Sequence, residues 1–305
     1  MLGGVIRPYD DADAEAAAAL VAEHSPWLQT AAGLRHRLAA LPPRAHRATW
    51  AAEIDGEIVG WAEAEFDWTA ERADIGQVWA LVSPTHRRQG FGSELFDRGV
   101  EHLLAHNAGE LRSWSFADGD AFLERRGFTR TRVERLSALD PSSVDTSRLD
   151  SLPAGVRIVP LGELDERLPE VHAVFVEALA DMPADHPETN LPYDEWLTET
   201  IGDPDLSREG SFVVLVDDRP AALSWVNVDE ARGHAEQQLT GTARAYRRRG
   251  LARLAKLAVI RWCAGAGVVR LATGNDSTNA GMLALNDQLG FRPFASETQW
   301  VKRRR

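Results

Sequence analysis

A short basic loop built around glycine occurs twice in this chain, as Arg87-Arg88-Gln89-Gly90-Phe91-Gly92 and as Arg247-Arg248-Arg249-Gly250-Leu251-Ala252. Each copy closes a strand-like run and opens a helix-like one. Backbone N–H groups at a helix N-terminus form an anion site, and glycine lets the main chain approach a phosphate with no Cβ in the way. After each loop a helix-strand-helix pattern leads to a second glycine-aromatic pair, Arg126-Gly127-Phe128 and Leu289-Gly290-Phe291. The first glycines, Gly90 and Gly250, lie 160 positions apart, and the second, Gly127 and Gly290, 163 apart. That spacing is of domain size, so the repeat is a duplicated domain and not a solenoid. It implies two phosphate-carrying ligands, or one working site and one relic.

The length of 305 residues accommodates two such domains, each large enough to bury its own core. A hydrophobic content of 44% with ten tryptophans marks a folded globular chain, and no apolar run approaches the roughly 20 residues of a membrane helix. The opening residues lack the apolar core of a signal peptide, so a cytoplasmic location is expected. Cys263 is the single cysteine and lies in a helical apolar pattern; an internal disulfide framework and a cysteine-rich metal site are excluded, and a buried structural thiol is expected. No metal is expected. The net charge of −12 argues against nucleic-acid binding, because phosphate backbones are held by basic faces. Asp181, Asp185, Glu188, Asp194 and Glu195 cluster in a proline-rich stretch with only His186 as a counter-charge. Such a stretch is either a solvated loop or a mouth that attracts a cationic amine.

Along the first half, the pattern predicts a strand over 5–7, helices over 13–24 and 34–41, strands over 49–54 and 58–66 joined by Asp55-Gly56, and a strand over 76–82 that runs into the basic loop. Helical spacing of Leu95, Phe96, Val100, Leu103 and Leu104 follows over 93–106, then a strand over 111–116, a helix over 121–126 and a strand over 129–139. Residues 140–153 are rich in Ser and Asp and read as a linker. The second half repeats the order: strand 156–159, helices 165–180 and 193–201, strands 212–216, 221–228 and 235–242, the second loop, helix 251–264, strand 269–273, helix 280–289 and a closing strand over 298–301. The expected domains are 1–139 and 154–305.

Two loops of the form Arg-x-x-Gly-x-Gly/Ala, each preceded by a strand and followed by helix-strand-helix-Gly-Phe, resemble the GNAT-type N-acyltransferases in a tandem arrangement. The resemblance covers nearly the whole chain. It implies an α/β (α+β) fold of two lobes, each a mixed, mostly antiparallel sheet flanked by helices. It also implies acetyl-CoA as co-substrate, its pyrophosphate on the basic loop and its arm along the splayed end of the preceding strand. The implied cofactor-binding set is Leu81, Val82, Arg87, Arg88, Gln89, Gly90, Phe91, Gly92 and Ser93 in the first lobe. In the second it is Thr240, Gly241, Thr242, Arg247, Arg248, Arg249, Gly250, Leu251, Ala252, Asn275 and Asn279. The backbone N–H groups of Val82 and Thr242 are the ones expected on the thioester carbonyl, where amine attack develops oxyanion charge. The arginines are otherwise ordinary surface charge, and the asparagines otherwise helix caps.

One departure concerns the position four residues before the Gly of Gly-Phe, where many family members place a tyrosine that protonates the departing thiolate. Here it is Leu123 in the first lobe and Asn286 in the second. Leu123 has no polar group, whereas Asn286 is able to hydrogen-bond a thiolate. A thiol pKa near 8.5 makes loss of the acid tolerable. For the general base, Glu236 is the first candidate and His234 the second, with Asp74 and Gln77 in the matching stretch of the first lobe; each is otherwise a plain strand side chain. The leading reading is acetyl transfer to a primary amine of a small molecule by direct attack on the thioester, with the C-terminal lobe catalytic and the N-terminal lobe a degenerate acetyl-CoA binder. The alternatives are a non-catalytic acyl-CoA sensor or scaffold, and an enzyme whose N-terminal lobe is active. Neither the acceptor nor the oligomeric state is legible, a monomer being compatible with tandem lobes.

Overall fold

The computed structural model describes residues 3–183 and 191–304. By its contacts the chain divides into two compact units, Met1–Val133 with Ser296–Arg305, and Glu134–Ala295.

In the first unit, strands β1 (Val5–Pro8), β2 (Ala48–Ile54), β3 (Glu57–Phe66) and β4 (Ile75–Val82) form an antiparallel run. Between β1 and β2 stand helices α1 (Ala14–His24) and α2 (Ala31–Ala40). Helix α3 (Phe91–Ala105) then crosses over to β5 (Glu110–Ser115), which lies parallel to β4, and α4 (Asp120–Arg125) leads into β6 (Thr129–Leu139). The β2–β3 turn needs the left-handed region at both central residues, and Asp55 and Gly56 take φ 50° and 86°. One core lies under α1 and α2 around Leu34, Ala51 and Trp61. Others lie under α3, around Phe96, Leu103 and Phe128 and around Val82, Phe91 and Leu95.

The second half of the chain repeats the order: β7 (Val156–Pro160), α5 (Leu168–Leu179), α6 (Tyr193–Trp196), β8 (Phe212–Val216), β9 (Arg219–Asp229), β10 (His234–Thr242), α7 (Leu251–Gly265), β11 (Arg270–Asp276), α8 (Ala280–Leu289) and β12 (Arg292–Arg303), of which residues from Ser296 onward belong to the first unit. Strands β7 to β10 are antiparallel, and β11 is parallel to β10. The helix expected over 193–201 is one α turn continued by a π turn, Leu197–Ile201. Both units therefore have the mixed, mostly antiparallel, helix-flanked sheet that the sequence indicates.

The closing strands take partners that their positions in the sequence do not specify. Residues Thr298 to Arg303 of β12 pair antiparallel with β5 of the first unit, and Glu134 to Leu139 of β6 pair antiparallel with β11 of the second. A strand pattern records which face is apolar, and both partners offer the same pleated edge, so pairing choice is not written in periodicity. Residues 140–153 belong to the second unit: Val144 and Leu149 pack on its core, and the Arg261 guanidinium pairs with Asp150 at 2.8 Å.

Candidate active site

The two basic loops share one backbone conformation. Each begins with a single 3-10 turn, Pro84–His86 or Arg244–Tyr246. Arg87 and Arg247 are then extended, Arg88 and Arg248 take φ 63° and 62°, and Gly90 and Gly250 take φ 101° and 76° as N-caps of α3 and α7. The left-handed cap favours glycine. It brings no side-chain acceptor to the first turn, so the orphan N–H groups of each helix start remain available to an anion. The first arginine of each loop is a staple: Arg87 Nε donates to the Val82 carbonyl at 3.1 Å, and Arg247 Nε to the Thr242 carbonyl at 3.0 Å.

Each loop follows a strand that has parted from its parallel neighbour. β4 pairs with β5 only from Ile75 to Gln77, and β10 with β11 only from His234 to Glu236, although β4 runs on to Val82 and β10 to Thr242. Ser83 N–H bonds Val59 and Ala243 N–H bonds Ala221, both at 2.9 Å and both toward the antiparallel neighbour. Alternation along a strand then turns the N–H groups of Val82 and Thr242 the other way, into the open gap.

The arginines are only partly free for a ligand. Arg87 Nη1 bonds Asp118 at 2.6 Å. Arg247 shares Asp181 with Arg244, whose Nη2 lies 2.6 Å from Oδ1; hydrogen bonds from Arg244 and Arg247 hold that carboxyl well below the ordinary range. Asp181 is thus committed to the loop and is not a free carboxylate at a cationic mouth. Asp185, Glu188 and His186 lie outside the described residues. Arg88, Gln89, Arg248 and Arg249 are exposed, and Arg249 stacks over Tyr246 at 5.7 Å.

Several candidate binding residues have structural duties. Phe91 and Leu251 are buried in their cores and offer only their backbone. Ser93 is exposed and Leu81 packs beside the α1 core. A Cβ on Gly241 would stand 2.2 Å from the Ala178 Cβ of α5, so that glycine is required by helix packing. At Gly92 a Cβ meets only Val82 Cγ2 at 3.5 Å, and the equivalent in the second loop is Ala252. Asn279 caps α8, its Oδ1 accepting from Met282 N–H at 3.2 Å.

Of the base candidates, Glu236 stands on the last paired rung before the strands part, opposite Ala272, and is 8% exposed. Its Oε1 accepts from Gln238 Nε2 at 2.9 Å. His234 stands two residues earlier, and burial, with Arg270 and Arg232 nearby, lowers its pKa. In the first unit, Asp74 is committed to Arg72 at 2.9 Å.

The units differ in three places that sequence reading missed or left open. First, β10 carries an extra residue between Gln237 and Thr240 against β9, whereas β4 runs against β3 without interruption. A bulge of this kind re-aims the strand beside a site. Second, on the α1 and α2 side of β3 the first unit carries ion pairs beside its apolar core: Arg37 Nη1 bonds Glu63 at 2.7 Å and Arg47 Nε bonds Glu65 at 2.6 Å. The corresponding side of the second unit holds Phe175, Trp196 and Trp225.

Third, the layer between the sheet and the crossover helix is apolar in the first unit and polar in the second. Ala64, Val78, Phe96, Leu123 and Phe128 form part of one cluster, with Phe96 edge-on to Phe128 at 5.8 Å. Their counterparts by register and by distance from the glycines are Val226, Gln237, Lys256, Asn286 and Phe291. Beside them Ala62 and Ala80 are replaced by Ser224 and Thr240, whose hydroxyls lie 2.8 Å apart. Gln237 Nε2 donates to Ser224 Oγ at 2.9 Å, and Asn286 Nδ2 to Asn275 Oδ1 at 2.5 Å. The amide nitrogen expected to meet a thiolate is therefore engaged with β11. Gln237 Oε1 and Asn286 Oδ1 are buried with no partner. The signal in the sequence was a lysine among the apolar residues of α7, six positions after Gly250.

The profile of the acetyltransferase (GNAT) family matches residues 16–128 and 171–291. Among characterised proteins, the chain is 28% identical to the mycothiol acetyltransferase of Stackebrandtia nassauensis over 90% of its own length and 88% of that enzyme's. It is likewise 28% identical to the mycothiol acetyltransferase of Corynebacterium diphtheriae, over 56% of its own length and 57% of that enzyme's. Among solved structures, a tandem GNAT protein from the clavulanic acid biosynthesis pathway superimposes with a TM-score of 0.76 at 22% identity, covering 98% of both chains. The family profile accounts for most of both units and spans both basic loops, so the chain belongs to the acetyltransferase (GNAT) family and its chemistry is N-acetyl transfer.

Proposed function

We propose that the second unit carries out the transfer, moving an acetyl group from acetyl-CoA to a primary amine of a small molecule, while the first unit keeps the loop and has lost the rest of the site. The observation that supports this most is the layer of Ser224, Gln237, Thr240, Lys256 and Asn286, whose first-unit counterparts are Ala62, Val78, Ala80, Phe96 and Leu123. A buried polar layer with two unpartnered oxygens costs stability, and the apolar first-unit version avoids that cost. The residues fit CoA. The uncapped start of α7 with Arg248 and Arg249 alongside suits a diphosphate, and the gap beyond Glu236 and Ala272 suits an extended amide-containing arm. Bound acetyl-CoA supplies the activated acyl group.

Within that frame Glu236 takes the proton from the substrate ammonium, directly or through water, at the point where β10 and β11 part. The amine nitrogen bonds to the thioester carbon, and the Thr242 N–H, aimed into the gap, stabilises the oxyanion. The C–S bond then breaks with its electron pair on sulfur. The mycothiol acetyltransferases among its relatives make a mycothiol-type precursor amine the first acceptor to try, beside amino acids and polyamines.

The test places a carboxylate at the second position of each loop helix, Ala252→Asp and Gly92→Asp. Both backbones are ordinary helix there, and an acidic residue in the first turn favours the helix, so the fold persists while the charge repels a pyrophosphate. Thiol release with an amine panel falls at least tenfold in Ala252→Asp and by less than twofold in Gly92→Asp. The opposite order moves catalysis to the first unit, and no thiol release with any amine together with retained acetyl-CoA binding makes the chain an acyl-CoA sensor.

A further inference from the structure

Lys256 lies in the middle of α7 with 1% of its surface exposed. Its Nζ stands 5.2 Å from the centre of the Phe291 ring, the contact that Phe96 makes with Phe128 in the first unit. Phe291 N–H in turn bonds the Asn286 main-chain carbonyl at 3.0 Å, which ties the segment carrying that ring to the last turn of α8. In the first unit the counterparts of Gln237, Lys256 and Asn286 pack in a single cluster. The repeated fold therefore groups an amine and two unpartnered amide oxygens at the junction of β10, α7 and α8. An amine in such a place is costly, and among the described residues no carboxylate pairs with it: burial lowers its pKa, to about 7. The residues that β9, β10 and β11 turn to this layer, Ser224, Val226, Gln237, Leu271, Thr273 and Asn275, are uncharged. The titratable and charged groups on the two helices are Arg253, Arg261, Cys263 and Asp287; Arg253 bonds Gln288 at 3.0 Å, Arg261 pairs with Asp150, Asp287 pairs with Arg135, and burial pushes the Cys263 thiol up to about 12.

We propose that Lys256 is a positioning residue of the second-unit site, its buried ammonium holding a positive potential at the α7–α8 junction where the sulfur of CoA takes up the electron pair of the broken C–S bond. The proposal rests on the second unit being the acyl-transfer site. It gives the site an electrostatic substitute for the tyrosine that Asn286 replaces. The proton balance is closed without it: the ammonium loses one proton to Glu236 before attack and a second from the nitrogen of the tetrahedral adduct to water, and the thiolate leaves as such or is protonated from solvent. In the empty site the amine is neutral above about pH 7, and a thiolate formed beside it draws a proton onto the nitrogen, so amine and thiol ionise as a pair; a positive charge in a low-dielectric layer favours an anion far more than the same charge in water.

The test reads the ionisation of bound CoA and not turnover. Free CoA is bound to Gly92→Asp protein, which removes first-unit binding, and the thiolate is followed by its ultraviolet absorbance as pH is raised. The same titration is run with Lys256→Met and Lys256→Arg added. The bound thiol should ionise at least tenfold more readily with Lys256 than with methionine, and arginine should restore most of the difference. A purely structural role would leave the thiol ionisation of all three alike. Binding of CoA with equal thiol ionisation in the lysine and methionine proteins overturns this inference alone, whereas failure of the lysine protein to bind CoA overturns the acyl-transfer reading and this one together.

Discussion

Replacing Lys256 by methionine should make the protein more stable, by an amount that depends on pH in a calculable way. The lysine ionises at about 7 in the folded chain against 10.5 in the unfolded one, and burial is the cause. At about 1.4 kcal/mol per pH unit, that difference amounts to about 5 kcal/mol of lost stability below pH 7, where the folded chain must either bury a charge or give up a proton. Between pH 7 and 10.5 the unfolded chain holds a proton that the folded one does not, so the penalty shrinks by about 1.4 kcal/mol for each unit of rising pH. Above 10.5 both states are neutral and the penalty is gone. Methionine has nearly the volume of lysine and no charge to desolvate. Its advantage over wild type should therefore be largest at pH 6.5 and below and should fall by about 2 kcal/mol between pH 7 and pH 9. Urea unfolding followed by tryptophan fluorescence at three pH values measures it. A methionine variant that is no more stable at pH 6.5, or whose advantage is the same at pH 9, would refute the reasoning, because it would mean that Lys256 is hydrated or paired in the folded state.

Two further outcomes separate the chemistry from the scaffold. Glu236→Gln should lower kcat/KM by about 10²-fold to 10⁴-fold, with the loss shrinking as pH rises and free amine accumulates; wild-type kcat/KM at every pH would transfer the base role to His234. Arg37→Met should leave Glu63 buried without its main partner. Although burial pushes that carboxyl up, Arg37 and Arg47 draw it down to about 2, so its stability contribution is present above pH 4.5 and is lost as pH falls toward 2. The variant should be less stable by about 3 kcal/mol at neutral pH, by thermal melting, with acetyl transfer per folded molecule unchanged; a matching fall in transfer rate would give the first unit a part in turnover.

The duplication, the strand and helix order and the two loops were legible because each rests on a local rule. Gly90 and Gly250 adopt a backbone that other residues rarely do, and Asp55-Gly56 forms the turn its pair favours. What was not legible lies at long range. The exchange of β6 and β12 between units depends on partner choice, to which alternation is blind. Asp181 looked like part of an acidic stretch, and only the fold brings α5 against the loop to spend it on Arg244 and Arg247. The polar layer is the instructive case. Gln237 and Val78 occupy the same place only after one residue of β10 is set aside as a bulge, so a gapless comparison of the two halves pairs Gln237 with Gln77 and conceals the change. Lys256 in place of Phe96 and Asn286 in place of Leu123 need no such correction, but the sequence offers no reason to join the two until the fold brings α7 and α8 together. Placed on one face of one sheet, the three changes coincide, and their cost falls wholly on the second unit. A duplicated fold under no functional demand would be expected to shed buried polar groups, as the first unit has at these places; that the second unit keeps a buried amine and two unpartnered oxygens is the ground on which the proposal of an acyl-transfer site there rests.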